Sequence, residues 1–294
     1  MWNRKTFAGL TLIMGFTFGC SKTYACEIAN LMVSPITSSP VYDIQQGGVY
    51  PLIAEFQVSA NITGDECTFR ILTHVDDGVD FLSSITAKRL NFEWHAATGS
   101  ERIGGWLGTL TTAQPSMVLR MRFSADQWVP ATQYRGDISV FVVDATLARN
   151  LDIPHASYDL FVDVIPATQI QFYGISQQRY ELNIGRLHSG KVISQIPRLY
   201  VKSNAGYTVS FASEHFGRLR HESNDAQWDI DYRLTANEHY LDLTQTKALL
   251  RSAQFTSSHL IPLHITIGDT SERIGGTYSD SLQISISPSL STIP

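Results

Sequence analysis

The segment Tyr278-Ser279-Asp280-Ser281-Leu282-Gln283-Ile284-Ser285-Ile286-Ser287 constrains the fold more than any other. Leu282, Ile284 and Ile286 alternate with Gln283, Ser285 and Ser287, a period of two with one apolar face. Beyond Pro288 the expectation is a short Ser/Leu/Pro tail with no room for a regular partner strand. A sandwich whose last strand lacks a neighbour must expose that edge, cover it, or take a strand from another chain.

The N-terminus reads as an export signal. Arg4 and Lys5 precede an apolar run over residues 7–18, and Thr23-Tyr24-Ala25 offers small side chains at both positions a signal peptidase inspects. Cleavage is expected after Ala25, which makes Cys26 the first mature residue. The rival reading, acylation at Cys20, is disfavoured by the bulky Phe18 in Thr17-Phe18-Gly19. No apolar run is long enough for a membrane span. Removing the leader removes Arg4, Lys5 and Lys22 and no acid, so 269 residues remain and the formal charge moves from −5 to −8. That length suits two domains. An acidic chain without basic clusters argues against nucleic acid as a partner. Cys26 and Cys67 are then the mature cysteines, and in an oxidising compartment a single pair is most simply a disulfide. In the chain-entropy model it contributes roughly 4 kcal/mol.

Most of the mature chain reads as short strands between turn residues, at 52–58, 68–73, 117–123, 138–144, 179–184, 199–202, 207–211, 228–234 and 261–267. Tyr180, Leu182 and Ile184 alternate, as do Leu263, Ile265 and Ile267. This spacing predicts all-β sandwiches. One short helix is expected over residues 244–253. There is also an internal echo. Pro130-Ala131-Thr132-Gln133-Tyr134-Arg135-Gly136-Asp137-Ile138-Ser139-Val140 resembles Gly275-Gly276-Thr277-Tyr278-Ser279-Asp280-Ser281-Leu282-Gln283-Ile284 after a one-residue shift. The first copy is followed by Leu160, Val162 and Val164, a further alternating strand that completes its sheet. The second copy has no such successor. The boundary is expected at Ile165-Pro166-Ala167-Thr168, giving a leader over 1–25, one sandwich over 26–165 and another over 166–294.

The C-terminal part carries a resemblance. Leu199-Tyr200-Val201-Lys202-Ser203-Asn204-Ala205-Gly206-Tyr207-Thr208-Val209-Ser210-Phe211 looks like a strand-turn-strand, and Ser213-Glu214-His215-Phe216-Gly217-Arg218-Leu219 like the turn that follows. Asp231-Tyr232-Arg233-Leu234 is similar to a Y-x-L strand. Gly275-Gly276-Thr277-Tyr278-Ser279-Asp280 is similar to a G-x-Y-x-D opening of the last strand. Over roughly residues 166–294 the chain thus resembles the spore-coat-U-like domain, the pilin domain of archaic chaperone–usher fimbriae. The resemblance implies an immunoglobulin-like sandwich missing its last strand. A periplasmic chaperone supplies that strand first, and an adjacent fimbrial subunit, delivered through the outer-membrane usher, supplies it in the fibre. The groove is expected to be lined by Tyr180, Leu182 and Ile184 near the domain's start and by Leu282, Ile284 and Ile286 on the last strand.

Two departures from the ordinary pilin bear on the role. The C-terminal half has no cysteine, and the expected cleavage leaves no strand-donating arm ahead of Cys26. A subunit that accepts a strand but gives none belongs at the end of a fibre. The resemblance therefore implies a two-domain tip adhesin, exported through the periplasm to the cell surface, whose first domain meets an unknown surface ligand. The alternative is a self-contained secreted coat or matrix protein that needs no chaperone.

Catalytic patterns are missing from the sequence. It holds no His-Glu-x-x-His, no Gly-x-Ser-x-Gly and no phosphate-cradling Gly loop. His215 and His221, and His259 and His264, do not stand at zinc spacings, and Asp76-Asp77-Gly78 with Asp80 lacks the other ligands of a calcium loop. The expectation is a protein without catalytic residues, metal or cofactor. For surface binding, Trp106 and Leu107 within Gly104-Gly105-Trp106-Leu107-Gly108 read either as an apolar loop tip or as a buried Trp whose neighbours need Gly for close packing. Trp128 stands before Val129-Pro130 at a loop. Tyr42 and Tyr50 flank Gln45-Gln46-Gly47-Gly48 as a possible binding loop.

Overall fold

The computed structural model describes residues 25–289, apart from 46–49, 77, 103 and 144–153. The leader expected over residues 1–25 therefore lies outside the described residues except for Ala25, as do Cys20, Gln46 to Gly48 and Asp77.

The first twelve strands are β1 (Glu27–Pro35), β2 (Val41–Tyr42), β3 (Leu52–Thr63), β4 (Thr68–Val75), β5 (Phe81–Ser84), β6 (Arg89–Asn91), β7 (Glu93–Ala96), β8 (Ser100–Arg102), β9 (Gly105–Thr111), β10 (Ser116–Phe123), β11 (Gln133–Val142) and β12 (His155–Val164). They form one sheet in the order β1-β3-β10-β7 and a second in the order β2-β12-β11-β4-β9-β8, with β5 also pairing with β11 and β6 with β5. The period of two does the sorting. In β10, Met117, Leu119, Met121 and Phe123 are buried while Val118, Arg120 and Arg122 face water. In β11 the inward set is Tyr134, Ile138, Val140 and Val142. Residues from both sheets share one core that runs in sequence from Ile28 to Ala167. Each fully buried large side chain there contributes about 1.5–3 kcal/mol. Trp94 lies in this core, as its alternation requires.

The remaining strands are β13 (Thr168–Phe172), β14 (Val192–Ile193), β15 (Leu199–Ser203), β16 (Tyr207–Ser213), β17 (Arg218–His221), β18 (Ile230–Ala236), β19 (His239–Leu241), β20 (Ala248–Ser252), β21 (Thr256–Ile261), β22 (Leu263–Ile267), β23 (Tyr278–Ser279) and β24 (Leu282–Pro288). They form ladders in the orders β13-β15-β21, β14-β22-β18-β17-β23 and β20-β16-β24. A second core runs from Leu199 to Ile267. The protein is thus all β; among the described residues the one helical element is a 3-10 turn at Ala226–Trp228, and no helix is long and apolar enough to cross a membrane.

Two sequence expectations fail here. Residues 244–253 are not a helix. Asp242 accepts from the Thr244 N–H and hydroxyl to make a turn, and β20 then pairs with β16 from Phe211↔Ala248 to Tyr207↔Ser252. A sheet ladder and burial of Ala248 outweigh the local helical tendency of this short run. Residues 179–184 are not a strand either: among the described residues the alternation of Tyr180, Leu182 and Ile184 finds no neighbouring strand to pair with. Asn183 accepts from the Gly185 N–H, and Lys191 Nζ donates to the carbonyls of Ile184 at 2.6 Å and Arg186 at 2.8 Å, so the segment turns instead.

Cys26 and Cys67 form the expected disulfide, closing a sequence separation of 41 and tying β1 to the start of β4. We expect the Cys26→Ser/Cys67→Ser variant to lose about 2–5 kcal/mol of unfolding free energy. A urea titration followed by Trp fluorescence will read this as a lower midpoint, and an unchanged midpoint refutes it.

Candidate functional site

The internal echo acquires a physical meaning in the sheets. β11 is flanked on both edges: β12 pairs with it from Gln133↔Asp163 to Phe141↔His155, and β4 and β5 take the other side. β24 carries the matching sequence pattern but pairs only with β16, from Tyr207↔Pro288 to Ser213↔Leu282. Its second edge has no ladder among the described residues. Burial follows pairing. Ile138 and Val140 in β11 are fully buried, whereas Leu282, Ile284 and Ile286 in β24 stay half-buried.

Backbone accounting shows what that edge offers. The Ser289 N–H donates to the Gly206 carbonyl at 2.7 Å and the Glu214 N–H to the Ser281 carbonyl at 2.9 Å, which sets the phase of the antiparallel ladder. Residues 281, 283, 285, 287 and 289 turn their backbone groups to β16. Leu282, Ile284 and Ile286 therefore point their N–H and C=O groups to the open edge while their side chains face the core. Pro288 adds a carbonyl there but no N–H.

β13 presents a second open edge nearby, and no ladder joins the two. The Asn204 N–H to Ala167 carbonyl bond (3.1 Å) and the Tyr173 N–H to Arg198 carbonyl bond (2.8 Å) leave Thr168, Ile170 and Phe172 facing outward. The Thr168 carbonyl accepts Gln45 Nε2 at 2.7 Å and the Phe172 carbonyl accepts the Ile175 N–H at 3.2 Å. Ile170 is left with both groups on the edge. Ile170 and Phe172, half-buried against the second core, thus stand with Leu282, Ile284 and Ile286 along one seam.

Asp280 anchors the start of β24. Its side chain is 3% exposed. It accepts the Ser213 hydroxyl at 2.6 Å, the Tyr232 hydroxyl at 2.6 Å and the His215 N–H at 3.0 Å, with His215 Nδ1 at 3.1 Å. Burial pushes the Tyr232 phenol well above its ordinary range, and the hydrogen bond to Asp280 and its negative charge push it further. These bonds pin the point where the chain leaves β23 for β24. The Tyr278 ring meets His221 edge-on at 5.0 Å and its hydroxyl donates to the Ile274 carbonyl.

The residues singled out in the sequence scatter. Leu282, Ile284 and Ile286 share the open strand, and Ile184 packs on the same core. Leu182 is half-buried, and Tyr180 is 41% exposed with its ring 5.8 Å from Phe172. Of the five aromatic and apolar candidates for surface binding, two are buried. Trp106 lies inside β9, buried, with Nε1 donating to the Thr98 carbonyl at 3.0 Å. Its glycines serve packing: a Cβ on Gly105 would fall 2.3 Å from the Thr73 carbonyl, and one on Gly108 2.4 Å from Met117 Sδ. Tyr42 is buried too, donating to the Ser124 carbonyl and accepting the Gln127 N–H. Burial of these two side chains removes them from any contact surface. Leu107 and Trp128 are half-buried, and only Tyr50 stands free at 76% exposure. The alternation of Ile170 and Phe172 in Thr168-Gln169-Ile170-Gln171-Phe172 is a signal in plain sight that points to the opposite wall of the seam.

With this geometry in place, comparison with known proteins adds likenesses of shape. No family model and no curated protein matches the chain. Three solved adhesion proteins are similar to it in shape. One is from the CsuC–CsuE chaperone–tip adhesion subunit pre-assembly complex of the archaic Csu pili of Acinetobacter baumannii. Its identity is 13% and its TM-score 0.47, over 89% of this chain and 99% of that one. Another is the CupB6 tip adhesin of Pseudomonas aeruginosa, at 8% identity and TM-score 0.34 over 88% and 94% of the two chains. A third is CfaE, the adhesive subunit of CFA/I fimbria of enterotoxigenic Escherichia coli, at 11% identity and TM-score 0.32 over 82% and 74%.

Two outcomes are expected. Asp280→Ala leaves three donors without their acceptor and costs about 1–3 kcal/mol, whereas Ser285→Ala on the outer face changes stability by no more than about 0.5 kcal/mol; denaturant midpoints of the two variants compare them. Burial also raises Tyr134, to about 12. The fold holds Tyr134 and Tyr232 in their neutral forms. Their contribution is complete below the ordinary tyrosine pKa of about 10 and is lost as pH rises above it. Circular dichroism recorded through an alkaline titration should show sheet loss coinciding with late-appearing tyrosinate absorbance. Sheet retained after all tyrosines ionise refutes the assignment.

Proposed function

We propose that this chain is a strand-accepting subunit of a chaperone–usher fimbria and acts as its tip adhesin. The second half accepts a strand, and the first half makes contact with a surface. The observation that carries this reading is the unpaired edge of β24. Its core-facing residues Leu282, Ile284 and Ile286 offer backbone groups outward and keep their side chains half-buried. An incoming extended segment gains main-chain hydrogen bonds along that edge, each contributing about 0.5–1.5 kcal/mol net. Its alternate apolar side chains finish the burial at about 25 cal/mol per Å². The role is binding and assembly. Left bare, an apolar edge of this kind templates aggregation, which is the physical reason for a chaperone that occupies it during periplasmic transit and an usher that exchanges it for a neighbouring subunit. The first half supports the adhesive end of this reading by supplying its own closing strand, β12, between β11 and β2.

Co-expression with a periplasmic fimbrial chaperone tests this. The second half should become soluble and protease-resistant only with the chaperone bound, and Ile284→Asp should abolish the complex while leaving the first half folded. Equal solubility and protease resistance without a chaperone sinks the proposal.

A further inference from the structure

Asn204, in the turn between β15 and β16, is 1% exposed and belongs by position to the second half. Its bonds go elsewhere. Its Oδ1 accepts the Ala167 N–H at 2.6 Å and its Nδ2 donates to the Ile165 carbonyl at 2.9 Å. Its backbone N–H donates to the Ala167 carbonyl at 3.1 Å, and its own carbonyl accepts the Ala131 N–H at 2.8 Å. Ala167 thus has both backbone groups held by Asn204 while its methyl group lies in the first core. The turn carrying Asn204 is itself fixed, with Ser203 Oγ donating to the Ala205 carbonyl at 2.7 Å. Around it, Gln45 reaches the Thr168 carbonyl and the Lys202 ammonium stands 5.6 Å from the centre of the Trp128 ring.

Domains joined by a short connection swivel unless contacts between them forbid it. Here one buried amide side chain, using its donor and its acceptor together with its own main chain, grips the connection and a loop of the first half at once. We propose that Asn204 is a staple that locks the two β cores into a single rigid body, so that tension applied to the second core reaches the first through hydrogen bonds parallel to residues 165–167. Opening the staple would take from the Ala131 and Ala167 amides the acceptors they have here, which opposes it. The proposal does not depend on what fills the seam.

Hydrogen exchange on the whole chain, read residue by residue, tests it. In the unaltered protein the Ala131 and Ala167 amides should exchange as slowly as interior amides of β11 and β16, about a thousandfold or more slower than exposed turns. In Asn204→Ala those two amides should lose about a hundredfold of protection while the interiors of β11 and β16 keep theirs. Small-angle scattering of the variant should then show a broadened distribution of interatomic distances. Turn-like exchange at Ala131 and Ala167 in the unaltered protein overturns the proposal, even if the variant fails to fold. A uniform loss of protection across the second core in Asn204→Ala, with the scattering unchanged, also overturns it and reduces Asn204 to a local turn residue.

Discussion

A strand that gives its side chains to a core but leaves one backbone edge unpaired is half a structure. Apolar side chains on such a strand bury only as far as the next strand would cover them, and the edge groups stay tied to water. β24 is in that condition, and the rest of the second half is arranged around it. Asp280 holds its start, β16 holds one edge, and β13 stands across the seam with the Ile170 backbone groups on its outer edge. The first half shows the same sequence pattern with the deficit repaired. β12 lies beside β11, and the equivalent side chains Ile138 and Val140 are sealed. One chain thus contains both the finished and the unfinished version of a similar edge.

The alternation of Leu282, Ile284 and Ile286 was readable because strand periodicity is local: side chains at every second position must share a face whatever the partner. The same holds for β10 and for the disulfide, which needed only the compartment and the count. Pairing is not local. Residues 179–184 alternate as well as any strand here, yet among the described residues no strand pairs with them, so they turn. Residues 244–253 have helical composition, yet β16 recruits them into a ladder. Trp106 proved to be core for a related reason. Glycines beside Trp106 serve close packing as readily as a loop tip, and only the position of Met117 and Thr73 decides between them. Asn204 was invisible as a tie between the halves, because an Asn before Ala-Gly reads as an ordinary turn residue and its partner Ala167 stands 37 residues away.

The ends of the seam are not alike. Tyr207 pairs with Pro288 and Ser203 with Thr168, so these two positions lie at the end nearest the first half. There Pro288 has no N–H to give, and the Thr168 carbonyl is already taken by Gln45. At this end the edge of β24 thus offers an acceptor without a donor, and the edge of β13 a donor whose carbonyl is already occupied. The two walls are therefore polarised along their length: farther from the first half, Leu282, Ile284 and Ile286 on β24 and Ile170 on β13 carry both kinds of backbone group, and the end by the first half carries them singly.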